Sequence, residues 1–133
     1  MKIVFADTSF FIAFSNRKDG DHHAAQDFVK TFRGRFVTTE WILVELGNFW
    51  SASPRRTSLA NIVHRVRQNP FFRIISAVHH SFDAGLELYA ERADKQWSLT
   101  DCISFVIMQD LGITEALTAD HHFEQAGFTI LLK

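Results

Sequence analysis

Apolar residues run unbroken from Ile3 to Ala6 and stop at Asp7-Thr8-Ser9. That pattern predicts a buried strand over residues 2–6 that ends where a helix starts. Helical spacing follows over residues 10–14 and 22–32. Gly34 breaks it, and residues 36–38 are strand-like. A helix is predicted over 40–50, and Ser53-Pro54 opens another that carries the chain to Arg67, since proline is tolerated in a first turn. Asn69-Pro70 is a turn, and residues 72–78, with two isoleucines and a valine, read as a strand. Helices are predicted over 81–92 and 98–111, the second closed by Gly112. A strand over 115–119 then leads into Asp120, a short helix over 121–126 ends at Gly127, and residues 128–132 make a last strand. Strands alternating with helices predict an α/β domain with a mostly parallel central sheet.

Composition limits this picture to a single domain over residues 1–133. With 47% hydrophobic residues and 14 phenylalanines, the chain has enough apolar mass for one core and no length for a second. No stretch approaches the roughly 18 consecutive apolar residues of a membrane span. Asp7 interrupts the N-terminus too early for a signal peptide, so the expected location is cytoplasmic. Cys102 is the only cysteine, which excludes an internal disulfide and a cysteine-based zinc site.

The net charge of −1 argues against a generic polyanion binder, but the charges are segregated. Between Leu46 and Phe82 there is no acid, while Arg55, Arg56, Arg65, Arg67 and Arg73 are present. From Asp83 to Glu124 nine acids face only Arg92 and Lys95. Such a chain can present a basic patch beside an acidic one, although arginines on a solvated helix face give the same count.

One acid is out of place. In WILVELGNFW, residues 41–50, Glu45 has Trp41, Ile42, Asn48 and Phe49 as its neighbours three and four residues away, so no basic residue on the same helix can pair with it. It reads as buried and locally unpaired, and some distant group must satisfy it.

Three aspartates are candidates to share its site. Asp7 and Asp120 each follow a strand, and in open parallel sheets ligands bind beyond the carboxyl ends of strands. Each also precedes a helix, where aspartate is a favoured N-cap. Asp101 fits a capping box with Ser98, and it would lie on the first turn, free to project toward a ligand as well. Two carboxylates about 5 Å apart repel by roughly 3 kcal/mol at an effective dielectric near 20. Four together require protonation or a divalent cation, and hard oxygen ligands select Mg²⁺ or Mn²⁺.

Other chemistries lack their residues. There is no GxGxxG or GxxxxGK[ST] loop, and Asp7 is not followed by the second aspartate of an Asp-x-Asp phosphatase. The pairs His22-His23, His79-His80 and His121-His122 are adjacent, so on a helix their rings diverge by about 100° and seldom chelate one ion. His121 or His122 could instead contact a phosphate. Cys102 has no identifiable activating base.

The order DTS, then WILVELGN, SLTDCISF and TADHHF followed by AGF resembles the PIN domain family, and within it the VapC-type toxin ribonucleases of type II toxin–antitoxin systems. The resemblance covers essentially the whole chain. It implies a three-layer α/β/α nuclease that hydrolyses RNA with Mg²⁺ or Mn²⁺ and leaves 5′-phosphate and 3′-hydroxyl ends. By matching motifs, Asp7, Glu45, Asp101 and Asp120 are the catalytic and metal-binding residues, Asp7 and Asp101 foremost, with Thr8 and Thr118 in support. Arg55 and Arg56 are the candidates for an RNA-binding rim. The implied partners are RNA, a cognate antitoxin, and a second copy of the chain through the apolar stretches at 10–14 and 41–50. An RNA-processing nuclease without an antitoxin, or a binding module with little hydrolysis, are the alternatives.

Overall fold

The computed structural model describes residues 1–132. Five strands form one sheet: β1 (Ile3–Ala6), β2 (Arg35–Thr39), β3 (Phe72–Ile75), β4 (Glu115–Leu117) and β5 (Thr129–Ile130). Their order is β3-β2-β1-β4-β5 and every pairing is parallel. The seven helices are α1 (Thr8–Ser15), α2 (His22–Thr31), α3 (Glu40–Phe49), α4 (Leu59–Gln68), α5 (His79–Glu91), α6 (Leu99–Leu111) and α7 (His121–Gln125). Sheet and helices make a three-layer α/β/α domain, and burial on both faces explains why β1 is apolar along its whole length.

The phenylalanines hold the layers together. Phe36 and Phe72 are register partners on β2 and β3, and their rings stack with centroids 4.6 Å apart. Phe105 on α6 meets Phe123 of α7 edge to face at 5.0 Å, and Phe5, Phe105 and Phe123 are all fully buried.

Two local devices place α6. At its start Ser98 and Asp101 form the reciprocal capping box, and at its end Gly112 takes the left-handed conformation, φ 69°. Gly85 lets α5 lie directly against it, because a Cβ there would stand 2.9 Å from the Ile103 Cα. The N-terminal turn of α6 is therefore positioned by backbone contact.

Several boundaries differ from the sequence reading; β4, for one, ends at Leu117 and α5 begins at His79. The helix expected from Ser53 onward is divided into a 3₁₀ turn, Pro54–Ser58, and α4. There Arg55 Nη1 donates to the Ser15 carbonyl at 2.7 Å and Arg56 Nη1 to that of Ser51 at 2.8 Å, tying the turn down. β3 ends at Ile75 because its neighbour β2 ends at the paired residue Thr39. β5 is two residues long because short β4 pairs only Glu115 and Ala116 with it. The first helix begins at Thr8.

Candidate functional site

The chain builds outward from β1 to β2 and β3, then crosses back to place β4 on the other side of β1. The switch in direction lies between β1 and β4, and in open parallel sheets ligands bind beyond the carboxyl ends of the strands at such a point. Ala6 pairs with Leu117, so the next residues, Asp7 and Thr118, emerge side by side at that point.

Asp7 sits at the N-cap position of α1, yet its side chain makes no capping hydrogen bond. Its Oδ2 instead accepts the Thr118 hydroxyl at 2.8 Å, with Ser9 Oγ 3.2 Å away. Ser9 Oγ is also 2.8 Å from Thr118 Oγ1. Only 5% exposed, the carboxyl has its pKa pushed up to about 7. Burial is the main cause; Thr118 and the Thr8 backbone oppose it, and the charges of Glu45 and Asp101 add to it.

Glu45 reaches the same place from α3. The sequence suggested full burial; the side chain is half-buried. Its distant partner is the Thr8 hydroxyl, which donates to Oε1. A hydroxyl satisfies an oxygen but leaves the negative charge uncompensated, and the Glu45 pKa is raised, first by burial and then by Asp101 and Asp120 against the hydroxyls of Thr8 and Thr100.

Asp101 resolves its two roles on two oxygens. Oδ2 accepts from the Ser98 backbone N–H at 3.1 Å and from His122 Nδ1 at 3.0 Å. Those bonds close the cap and leave Oδ1 without a protein donor. Its pKa is raised by burial and by Asp120, while Ser98 and His122 lower it.

Asp120 does cap its helix, accepting from the His122 N–H at 2.9 Å through Oδ1, while its own N–H donates to Thr118 Oγ1 at 3.0 Å. Both following histidines lean back over it, with Nδ1 atoms 3.8 Å (His121) and 3.5 Å (His122) from Oδ1. The divergence expected of adjacent rings is therefore not realised: Asp120, His121 and His122 bring donor atoms within 4.8 Å of one another.

Thus all four acids named from the sequence converge, together with Thr8 and Thr118. Their mutual charge effects link Asp7 to Glu45 and Asp101, and Asp120 to Glu45 and Asp101. Among the described residues, no lysine or arginine forms an ion pair with any of them. The donor set suits a hard divalent cation: carboxylates from four segments, hydroxyls that orient them, and, among the described residues, no lysine or arginine paired with them. Arg55 and Arg56 are held elsewhere, Arg55 at the far end of α1, about 10 Å along the helix from Thr8.

Sequence reasoning missed Ser9 and Thr100 and offered His121 or His122 only as a phosphate contact. The Ser9 signal was its place in DTS beside the first aspartate; nothing local marks His122 as a partner of Asp101, which lies 21 residues away.

A family model described as PIN domain matches residues 4–129. The chain is 26% identical over 128 residues, 95% of both proteins, to the 23S rRNA-specific endonuclease VapC20 of Mycobacterium tuberculosis. The crystal structure of that protein, titled a sarcin-ricin loop cleaving toxin, superimposes with a TM-score of 0.86 at 22% identity, covering 95% of this chain and 96% of the other. The structure of FitAcB from Neisseria gonorrhoeae is similar at a TM-score of 0.69 and 13% identity, covering 96% of each.

Proposed function

The chain belongs to the PIN domain family, and from that premise we propose that it is a divalent-metal-dependent endoribonuclease acting as the toxin of a type II toxin–antitoxin pair. The observation that carries this reading is the convergence of Asp7, Glu45, Asp101 and Asp120 at the β1–β4 switch point with no lysine or arginine paired to any of them among the described residues. The full-length similarity to a 23S rRNA-specific endonuclease supports RNA as the substrate, with structured ribosomal RNA the first candidate.

Asp7 and Asp101 are the principal metal ligands, with Glu45 and Asp120 binding directly or through water. A bound Mg²⁺ or Mn²⁺ supplies Lewis acidity toward the phosphate oxygens and lowers the pKa of a water. The protein's own groups set the geometry. Thr118 fixes one oxygen of Asp7, Thr8 one of Glu45, and Ser98 with His122 one of Asp101. Glu45, half-buried and tethered by a neutral donor, is placed to orient the attacking water. Attack at phosphorus breaks the bond to O3′, which takes a proton, leaving 5′-phosphate and 3′-hydroxyl products.

Arg55 and Arg56 remain proposed contacts to RNA outside the acid cluster. An antitoxin segment fits the apolar groove of about 400 Å³ between α1 and α4, lined by Phe10, Phe11, Phe14 and Phe72 with Arg55 and Arg65 at its edge. The exposed Val44 and Phe49 of α3 support self-association. Among the described residues no helix is long and apolar enough to cross a membrane, and an RNA substrate puts the work of the protein in the cytoplasm.

The test is incubation of the purified protein with ribosomal and transfer RNA in Mg²⁺, Mn²⁺ or EDTA, beside an Asp7→Asn/Asp101→Asn double variant. Metal-dependent cleavage that vanishes in the variant is expected. A folded protein that binds Mn²⁺ yet cuts no RNA would overturn the nuclease reading in favour of a binding module.

A further inference from the structure

A cluster of four carboxylates repels the phosphates on either side of a scissile bond, so an RNA-cutting site needs a cation close to it that the fold has not already neutralised. Between Asp83 and Glu124 the chain offers only Arg92 and Lys95. Both lie in the loop that joins α5 to α6 and enters the site at Ser98.

That loop is fastened at three points. Trp97, 6% exposed, donates its indole N–H to Gln125 Oε1 of α7 at 3.0 Å. Its ring meets Phe105 of α6 edge to face at 5.1 Å. The Arg92 guanidinium lies 5.0 Å over the same ring and grips Asp94 with two hydrogen bonds, 2.9 and 3.0 Å. Arg92 is therefore committed to bracing the loop, and Trp97 ties the loop to the helices that carry Asp101 and Asp120.

None of these fasteners uses Lys95. Its backbone N–H closes the turn on the Arg92 carbonyl at 3.0 Å, and its ammonium forms no ion pair among the described residues. It lines a cleft of about 500 Å³ together with Tyr89, Arg92, Gln96, Trp97 and Ser98. Ser98 belongs to both places: it lines the cleft, and its N–H holds Oδ2 of Asp101. One residue separates the cleft from the acid cluster.

We propose that this cleft is the subsite for the RNA backbone beside the scissile phosphate, with Lys95 contacting a phosphate and the exposed Tyr89 ring available to a neighbouring base or sugar. The inference rests on the nuclease reading above and adds a substrate-binding surface distinct from Arg55 and Arg56. Preorganisation is the physical reason it can be effective. The loop is already ordered by Trp97 and by the Arg92–Asp94 pair, so binding immobilises little beyond the lysine side chain.

The experiment measures binding of a fluorescein-labelled RNA hairpin over a range of salt concentrations, in an Asp7→Asn background that blocks hydrolysis, with and without Lys95→Ala. Steady-state cleavage by otherwise wild-type protein and Mn²⁺ affinity by calorimetry are measured alongside. Lys95→Ala is expected to weaken RNA binding about tenfold, lower the salt slope by about one, and raise KM more than it lowers kcat, with Mn²⁺ affinity unchanged. Lys95→Arg should restore most of the binding, a result that a purely structural role would not give. If the parent binds and cuts RNA while Lys95→Ala does both equally well with the same salt slope, the subsite is wrong and the nuclease reading stands. If the parent neither binds nor cuts any RNA, both fall together.

Discussion

Thr118 donates its hydroxyl to Asp7 across the β1–β4 boundary at 2.8 Å, although 111 residues separate them in the chain. The bond links the two strand ends at which the sheet changes direction, and it turns a would-be helix cap into a member of the acid cluster. Thr118→Val keeps the shape and removes the donor. The variant should lose about 1–3 kcal/mol of stability and show Mn²⁺ affinity and cleavage reduced about 10- to 100-fold. Calorimetry and single-turnover cleavage measure the two effects. Wild-type values for both would show that Thr118 merely packs.

Asp7 also sets a pH dependence. Its folded-state pKa of about 7 lies above the ordinary value of 3.8, so the metal-free folded protein holds a proton that the unfolded chain has released. The corresponding stability is fully present below about pH 4 and is lost as pH rises toward 7. The raised pKa values of Glu45 and Asp101 act in the same direction. In EDTA, urea denaturation should give a protein less stable at pH 8 than at pH 5 by about 2.5 kcal/mol from Asp7 alone. Saturating Mg²⁺ should remove most of that difference, and Asp7→Asn should flatten it without metal.

Glu45→Gln separates charge from hydrogen bonding. Glutamine can still accept from Thr8 through its carbonyl oxygen, so the fold should be kept, and the metal-free protein should become more stable at pH 8 as one repulsive charge disappears. Cleavage should fall at least about 100-fold. Retained cleavage would reduce Glu45 to a structural residue.

His122, which the sequence offered only as a phosphate contact, lies against the acids. Its Nδ1 lies 3.0 Å from Asp101 Oδ2 and 3.5 Å from Asp120 Oδ1, standing between two acids. His122→Ala should weaken Mn²⁺ binding about tenfold or more by releasing the Asp101 carboxylate. His122→Asn, whose side-chain amide can donate from nearly the position of Nδ1, should recover much of the loss. Equal metal affinity in all three proteins would remove His122 from the site.

Gly85 ties stability to site geometry. A methyl group there would meet Ile103 Cγ1 at 2.3 Å and its Cα at 2.9 Å, so Gly85→Ala must push α6 away from α5. Overpacking of this kind should cost about 1–3 kcal/mol. Because α6 carries Asp101, the midpoint of urea denaturation and Mn²⁺ affinity should fall together.

The alternation of apolar runs and helical spacing determined the α/β class and nearly every element, because burial periodicity is local and each strand here is apolar enough to announce itself. It also pointed to four acids that the fold brings to one place. Asp7, Asp101 and Asp120 stand at element boundaries, and Glu45 is an acid in an apolar helix. Boundaries set by a neighbour were not legible: β3 stops where β2 stops, and β5 is only as long as β4 allows. Nor could local pattern separate cap from ligand. Asp7 and Asp120 look alike in sequence, yet Asp120 caps its helix while Asp7 turns to Thr118. The same limit applied to Glu45, whose partner Thr8 is 37 residues away, and to Asp101, whose Oδ2 accepts from both Ser98 and His122. A side chain's local neighbours follow from helix and strand geometry alone, whereas its partners across the domain exist only once the sheet order has brought the ends of β1 and β4 together.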